Sequence, residues 1–110
     1  MVPIASTGNP IYSTLGRDPD LVDIVEMFVA ELPERIAAIL QYLEQQDWDA
    51  LRRAAHQLKG AGGSYGFEPI TASAARVEQL ARQVAPEIEI RQAVGELAQI
   101  CYRAQTRPAV

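Results

Sequence analysis

The chain has 110 residues, which is one domain, and its 48% hydrophobic and 22% charged residues are ordinary for a water-soluble globular fold. A net charge of −4 argues against nucleic acid as the main partner, because binders of phosphate backbones carry a basic excess. The single cysteine, Cys101, forms no internal disulfide, no run approaches the length of a bilayer span, and no basic and apolar leader opens the chain. The expected setting is the cytoplasm, with no membrane association.

Residues 1–16 carry Pro3, Gly8, Pro10 and Gly16 and read as a flexible N-terminal arm, pinned by Ile11, Tyr12 and Leu15. Residues 17–107 read as one helical domain. Leu21, Ile24, Val25, Phe28, Val29 and Leu32 recur at three- and four-residue steps, with Asp18 as N-cap and Pro19 at the first helical position. Pro33 is expected to end or kink that helix and open a second one with Ile36, Ile39, Leu40 and Leu43 on its apolar face. Asp47 caps a third helix from about Trp48, whose inner face is Leu51, Ala54, Ala55 and Leu58. Pro69 opens a fourth, with Ile70, Ala74, Val77, Ala81 and Val84 facing inward. After Pro86 a last helix carries Ile90, Val94, Leu97, Cys101 and Ala104. There is no strand alternation, repeat or low-complexity tract. The expectation is an all-α, up-and-down antiparallel four-helix bundle, with the helix at 18–32 capping one end.

His56 is the only histidine. Its helical neighbours are Arg52, Arg53, Lys59 and Gly60, with Gly63 a turn further, while the apolar stripe points elsewhere. Between Ala50 and Phe67 there are three basic residues and no acidic one, a local reversal of the chain's sign. A lone histidine is most often a surface or packing residue. This one faces outward, has cations able to stabilise an anion, and precedes glycines that each cost a helix interior roughly 1 kcal/mol relative to alanine. Glycines there open space for another protein and for a phosphoryl group. A helix end is a good account of Gly66 and stays open for Gly62 and Gly63; for Gly60 it is a poor one.

The segment His56-Gln57-Leu58-Lys59-Gly60-Ala61-Gly62-Gly63-Ser64-Tyr65-Gly66, preceded by Leu51-Arg52-Arg53-Ala54-Ala55, resembles the signature of histidine-containing phosphotransfer (HPt) domains. The resemblance covers roughly residues 18–106. It implies that His56 is the phosphorylated residue, that Lys59 attracts the phosphoryl oxygens, and that Gly60 and Gly63 leave room for a partner. Arg52, Arg53 and Gln57 belong to the implied docking face. Glu78 falls where family members place a polar side chain that orients the imidazole, though the residues alone equally allow an ordinary solvated position. Ser64 reads as a helix-capping residue.

A neutral imidazole, with a free pKa of about 6.5, is a good nucleophile near neutral pH, and the N–P bond keeps the phosphoryl group transferable. Such transfer needs in-line positioning and charge stabilisation. The implied partners are receiver domains of response regulators and of a hybrid sensor histidine kinase. The chain itself is expected to bind no cofactor, Mg²⁺ belonging to the receiver, and to act as a monomer; Met1 hints at a free-standing domain.

Two other classes compete. A bundle that only docks on receiver domains would not need the His–Lys–Gly set. An autonomous kinase or phosphatase would need a phosphate loop, and neither G-x-x-x-x-G-K-[ST] nor G-x-G-x-x-G is present. One His and one Cys, far apart, make a poor metal site.

Overall fold

The computed structural model describes residues 8–108. Four helices make up the body: α1 (Val22–Glu44), α2 (Trp48–Ser64), α3 (Glu68–Arg82) and α4 (Glu87–Arg103). Two short strands, β1 (Ile11–Tyr12) and β2 (Ala104–Gln105), pair in parallel, Ile11 beside Ala104. Contacts run α1 to α2, α2 to α3, α3 to α4 and α4 back to α1, so the helices surround one core.

The separate cap helix at 18–32 and the second helix expected from Pro33 are instead the two halves of α1, which passes through Pro33 without a break. The reason lies in phase. Val25, Phe28, Leu32, Ile36, Ile39 and Leu43 are all buried and keep one stripe across the proline. Pro33 itself is on the exposed side of the helix. Burying that continuous stripe outweighs an interior-proline cost of about 3 kcal/mol. Asp18 acts one turn earlier than the helix proper: its side chain accepts from the Asp20 N–H, and its carbonyl accepts from Leu21 and Val22.

Asp47 caps α2 as expected, accepting from the Ala50 N–H at 3.1 Å, and Pro69 lies in the first turn of α3. The three helices α1, α2 and α3 end alike. The pairs Asp47 N–H to Tyr42 O and Gln46 N–H to Leu43 O close α1; Phe67 to Gly62 and Gly66 to Gly63 close α2; Ala85 to Leu80 and Val84 to Ala81 close α3. Each pair is the double hydrogen bond of a Schellman turn, which needs a left-handed residue. Those residues are Gln46 (φ 55°), Gly66 (φ 82°) and Val84 (φ 47°). This explains why Val84, expected in the stripe of the fourth helix, is 61% exposed: the helix has ended and its side chain has left the inner face.

The described part of the N-terminal segment is held to the bundle. Ile11 and Leu15 pack on the core, the Ser13 hydroxyl donates to the Tyr65 carbonyl, and the Thr14 N–H donates to the Gly66 carbonyl. Residues 1–7 of the expected arm lie outside the described residues. Local alternation could not reveal β1 or β2, since each is two residues long and its partner lies about ninety positions away.

α2 and α3 pack most extensively. Several of their buried residues are small, Ala55, Gly62, Ala74 and Ala81 among them. A Cβ on Gly62 would stand 3.0 Å from Ile70 Cγ2 and Thr71 Oγ1. Close approach at this seam sets the reach of side chains that cross it.

Candidate functional site

The seam between α2 and α3 carries a cluster centred on one carboxylate. Glu78, on α3, is 3% exposed and is the only buried charged residue among those described. Its Oε2 lies 2.9 Å from His56 Nδ1 and 2.8 Å from an Arg82 guanidinium nitrogen, and its Oε1 lies 2.7 Å from Lys59 Nζ. The imidazole remains 62% exposed. So α2 presents His56 and Lys59 one turn apart, and α3 places the carboxylate beneath them.

Burial alone would raise the pKa of Glu78. The hydrogen bond from Lys59 outweighs it and, with help from His56, brings the carboxyl down from 4.5 to about 2. At neutral pH Glu78 is therefore an ionised acceptor with no proton to give. The 2.9 Å contact then requires the proton to be on His56 Nδ1. Nε2 is left as the nitrogen without a hydrogen-bond partner in the cluster, with its lone pair available in the neutral ring.

Of the two positions open to Glu78 from the residues, the solvated one is excluded by this burial. Lys59 is more than an exposed cation beside a histidine: its side chain is 34% exposed and its ammonium neutralises a buried charge. Arg82 escaped the sequence reading. Its signal was there, as a cation four residues after Glu78 on the same helix, but became readable only once Glu78 was known to point inward.

Arg52 and Arg53 both bond Asp49, at 3.0 and 3.4 Å, and hold its carboxyl below the usual range, Arg52 most strongly. Asp49 stands just before the acid-free stretch from Ala50 to Phe67. The expected docking residues fall on two sides of His56. Arg52 lines a depression toward α3 with Trp48, Arg82 and Val84, whereas Arg53 and Gln57 line one toward α1 with Tyr42 and Ala54.

The glycines also divide. A Cβ on Gly60 would meet nothing within 4 Å, so this position is open. A Cβ on Gly63 would lie 3.4 Å from Thr71 Oγ1, the hydroxyl that donates to the Lys59 carbonyl; Gly63 is exposed, yet it also serves the α2–α3 fit. Ser64 is the last residue of α2, and the Schellman turn after it uses backbone groups.

Cys101 is buried on α4, and burial pushes its thiol up to about 12. Among the described residues no group of three or more His, Cys, Asp and Glu side chains is placed to hold a metal ion, and no helix is long and apolar enough to cross a membrane.

No curated protein and no solved structure matches the chain. The Hpt domain family model does, over residues 23–107, from the first turn of α1 through α2, α3 and α4 to just past β2. That span includes His56 and the carboxylate beneath it, and on it the chain belongs to the Hpt domain family.

Proposed function

We propose that this Hpt domain is a histidine phosphocarrier in a phosphorelay. His56 accepts a phosphoryl group from a receiver-domain aspartate, or from a kinase, and passes it to the aspartate of a response-regulator receiver domain. The observation that carries this reading is the exposed imidazole whose Nδ1 is held by a buried, ionised Glu78. That arrangement turns Nε2 outward as the nucleophile and fixes the ring for in-line attack.

In the forward step the Nε2 lone pair attacks phosphorus. The bond from phosphorus to the aspartyl oxygen breaks, and its electron pair returns to the carboxylate. Nδ1 keeps its proton, so the ring becomes cationic and Glu78 stabilises it. Lys59 attracts the phosphoryl oxygens. The acidic pocket that receives or gives the group, with its Mg²⁺, belongs to the partner. In this reading the chain acts as a carrier without autonomous kinase activity.

The docking face comprises Arg52, Arg53, Gln57, Gly60 and Gly63 around His56. Its partners are receiver domains of response regulators and of a hybrid sensor histidine kinase, met in the cytoplasm by a monomer. Connections of three or four residues between successive helices support the up-and-down antiparallel order of the bundle.

The test is transfer from a labelled phospho-receiver domain. Wild-type protein should take up acid-labile, base-stable label, and His56→Gln should fold normally and take up none. Label retained by His56→Gln would rule out the assignment. Receiver binding without any label on wild type would favour a docking module that carries no phosphate. Labelling by ATP alone would point to a kinase.

A further inference from the structure

Two cations and an imidazole nitrogen converge on Glu78, and they do not share it evenly. Oε1 is taken by Lys59, while Oε2 is shared by His56 Nδ1 and Arg82. A phosphocarrier cycle changes the charges around this carboxylate, and so this argument rests on the carrier reading of His56. When the phosphoryl group bonds to Nε2, a dianion arrives beside Lys59, and the ring becomes positive with its proton on Nδ1. Lys59 then has two anionic targets. Its flexible four-carbon stem, one turn from His56, lets the ammonium reach either. Arg82 sits at Oε2, the oxygen that also receives Nδ1, four residues along the same helix as Glu78. Its planar guanidinium is a rigid fork and needs no movement to keep that contact.

We infer that Arg82 is a positioning residue that keeps the buried Glu78 carboxylate charge-compensated, which frees Lys59 to move from Glu78 to the phosphoryl group on His56. Without Arg82, Lys59 is the only permanent cation on a carboxylate that is 4% exposed, and its departure would leave that buried charge to the phosphorylated ring alone. Lys59 then stays on Glu78 and the phosphoryl group goes unassisted. Arg82 therefore acts through Lys59, and its effect depends on Lys59 being there.

A double-mutant cycle reads this dependence. The probe is potassium phosphoramidate, which phosphorylates an accessible imidazole without any partner protein. Initial rates of His56 phosphorylation are measured for wild type, Arg82→Ala, Lys59→Ala and the double variant. The temperature is one at which circular dichroism shows each to be folded. Arg82→Ala should slow wild type about tenfold, the scale of one charge-assisted hydrogen bond lost from the transition state. In the Lys59→Ala background the same substitution should have no effect. Arg82→Lys should restore most of the rate. Should Arg82→Ala fail to fold, Arg82→Met keeps the side chain's stem and serves in its place.

An unchanged rate on removing Arg82 would overturn the inference, and so would an equal loss in both backgrounds, which is the mark of a merely structural residue. In either case labelled wild type leaves the carrier reading standing. If wild type takes up no acid-labile label from either phosphoramidate or a phospho-receiver, both fall together.

Discussion

Replacing Glu78 with glutamine keeps the shape at the α2–α3 seam and removes its charge. In the folded protein the carboxyl is held at about 2, against the 4.5 of an ordinary glutamate. At 1.36 kcal/mol per pH unit, that difference amounts to about 3 kcal/mol of stability at neutral pH. The side chain itself is 4% exposed, but the His56 and Arg82 side chains that cover it are 62% and 57% exposed, so solvent screening makes this an upper figure. The sign follows from the direction of the shift. The folded pKa lies below the unfolded one, so the contribution is complete above pH 4.5 and is lost as pH falls toward 2. About 2 kcal/mol of it should be gone by pH 3. The assay is urea unfolding of wild type and Glu78→Gln across pH 7 to 3. Every other carboxylate titrates in both proteins, so the difference between the curves isolates this one. The wild-type advantage should narrow by about 2 kcal/mol over that range. A gap that stays constant with pH would refute the claim that the buried charge is stabilised by its cations, and would leave the seam held by packing alone.

Lys59→Ala should slow phosphotransfer and, because its ammonium is 2.7 Å from Glu78, lower stability by about 1–2 kcal/mol in urea unfolding. An unchanged midpoint would show that Arg82 and His56 suffice for Glu78. Gly60→Glu should leave the melting temperature equal or higher, since a Cβ there meets nothing within 4 Å, and should abolish receiver-domain binding in a titration. Gly62→Ala should destabilise the fold by about 1–2 kcal/mol, because its Cβ would press on Ile70 and Thr71 at 3.0 Å. A stabilised variant would mean that α3 yields easily at the seam.

Some of this protein is legible in its sequence because the relevant physics is local. Apolar residues three and four apart define helical faces, Asp47 caps the helix it precedes, and an outward histidine flanked by Arg52, Arg53, Lys59 and Gly60 marks a site. Each of these depends on residues within a turn or two of one another. Pro33 shows where local reading stops. Its missing N–H is a local cost, but the decision to continue α1 was made by a buried stripe that only the assembled core rewards. Val84 is the converse case, apolar and in phase, yet turned out to solvent once the backbone closed α3 with a left-handed residue. The pairing of Ile11 with Ala104 joins the two ends of the chain and has no local signal at all.

The chemistry of the site divides along the same line. The sequence by itself determined that the chain's one histidine and Lys59 stand a turn apart, since both lie on one helix. Only the tertiary structure decided the state of Glu78. Packing α3 against α2 buries that carboxylate 2.9 Å from the imidazole and surrounds it with Lys59 and Arg82. Side chains from two helices meet there, and whether a carboxylate ends up solvated or buried and ionised depends on how closely those helices approach.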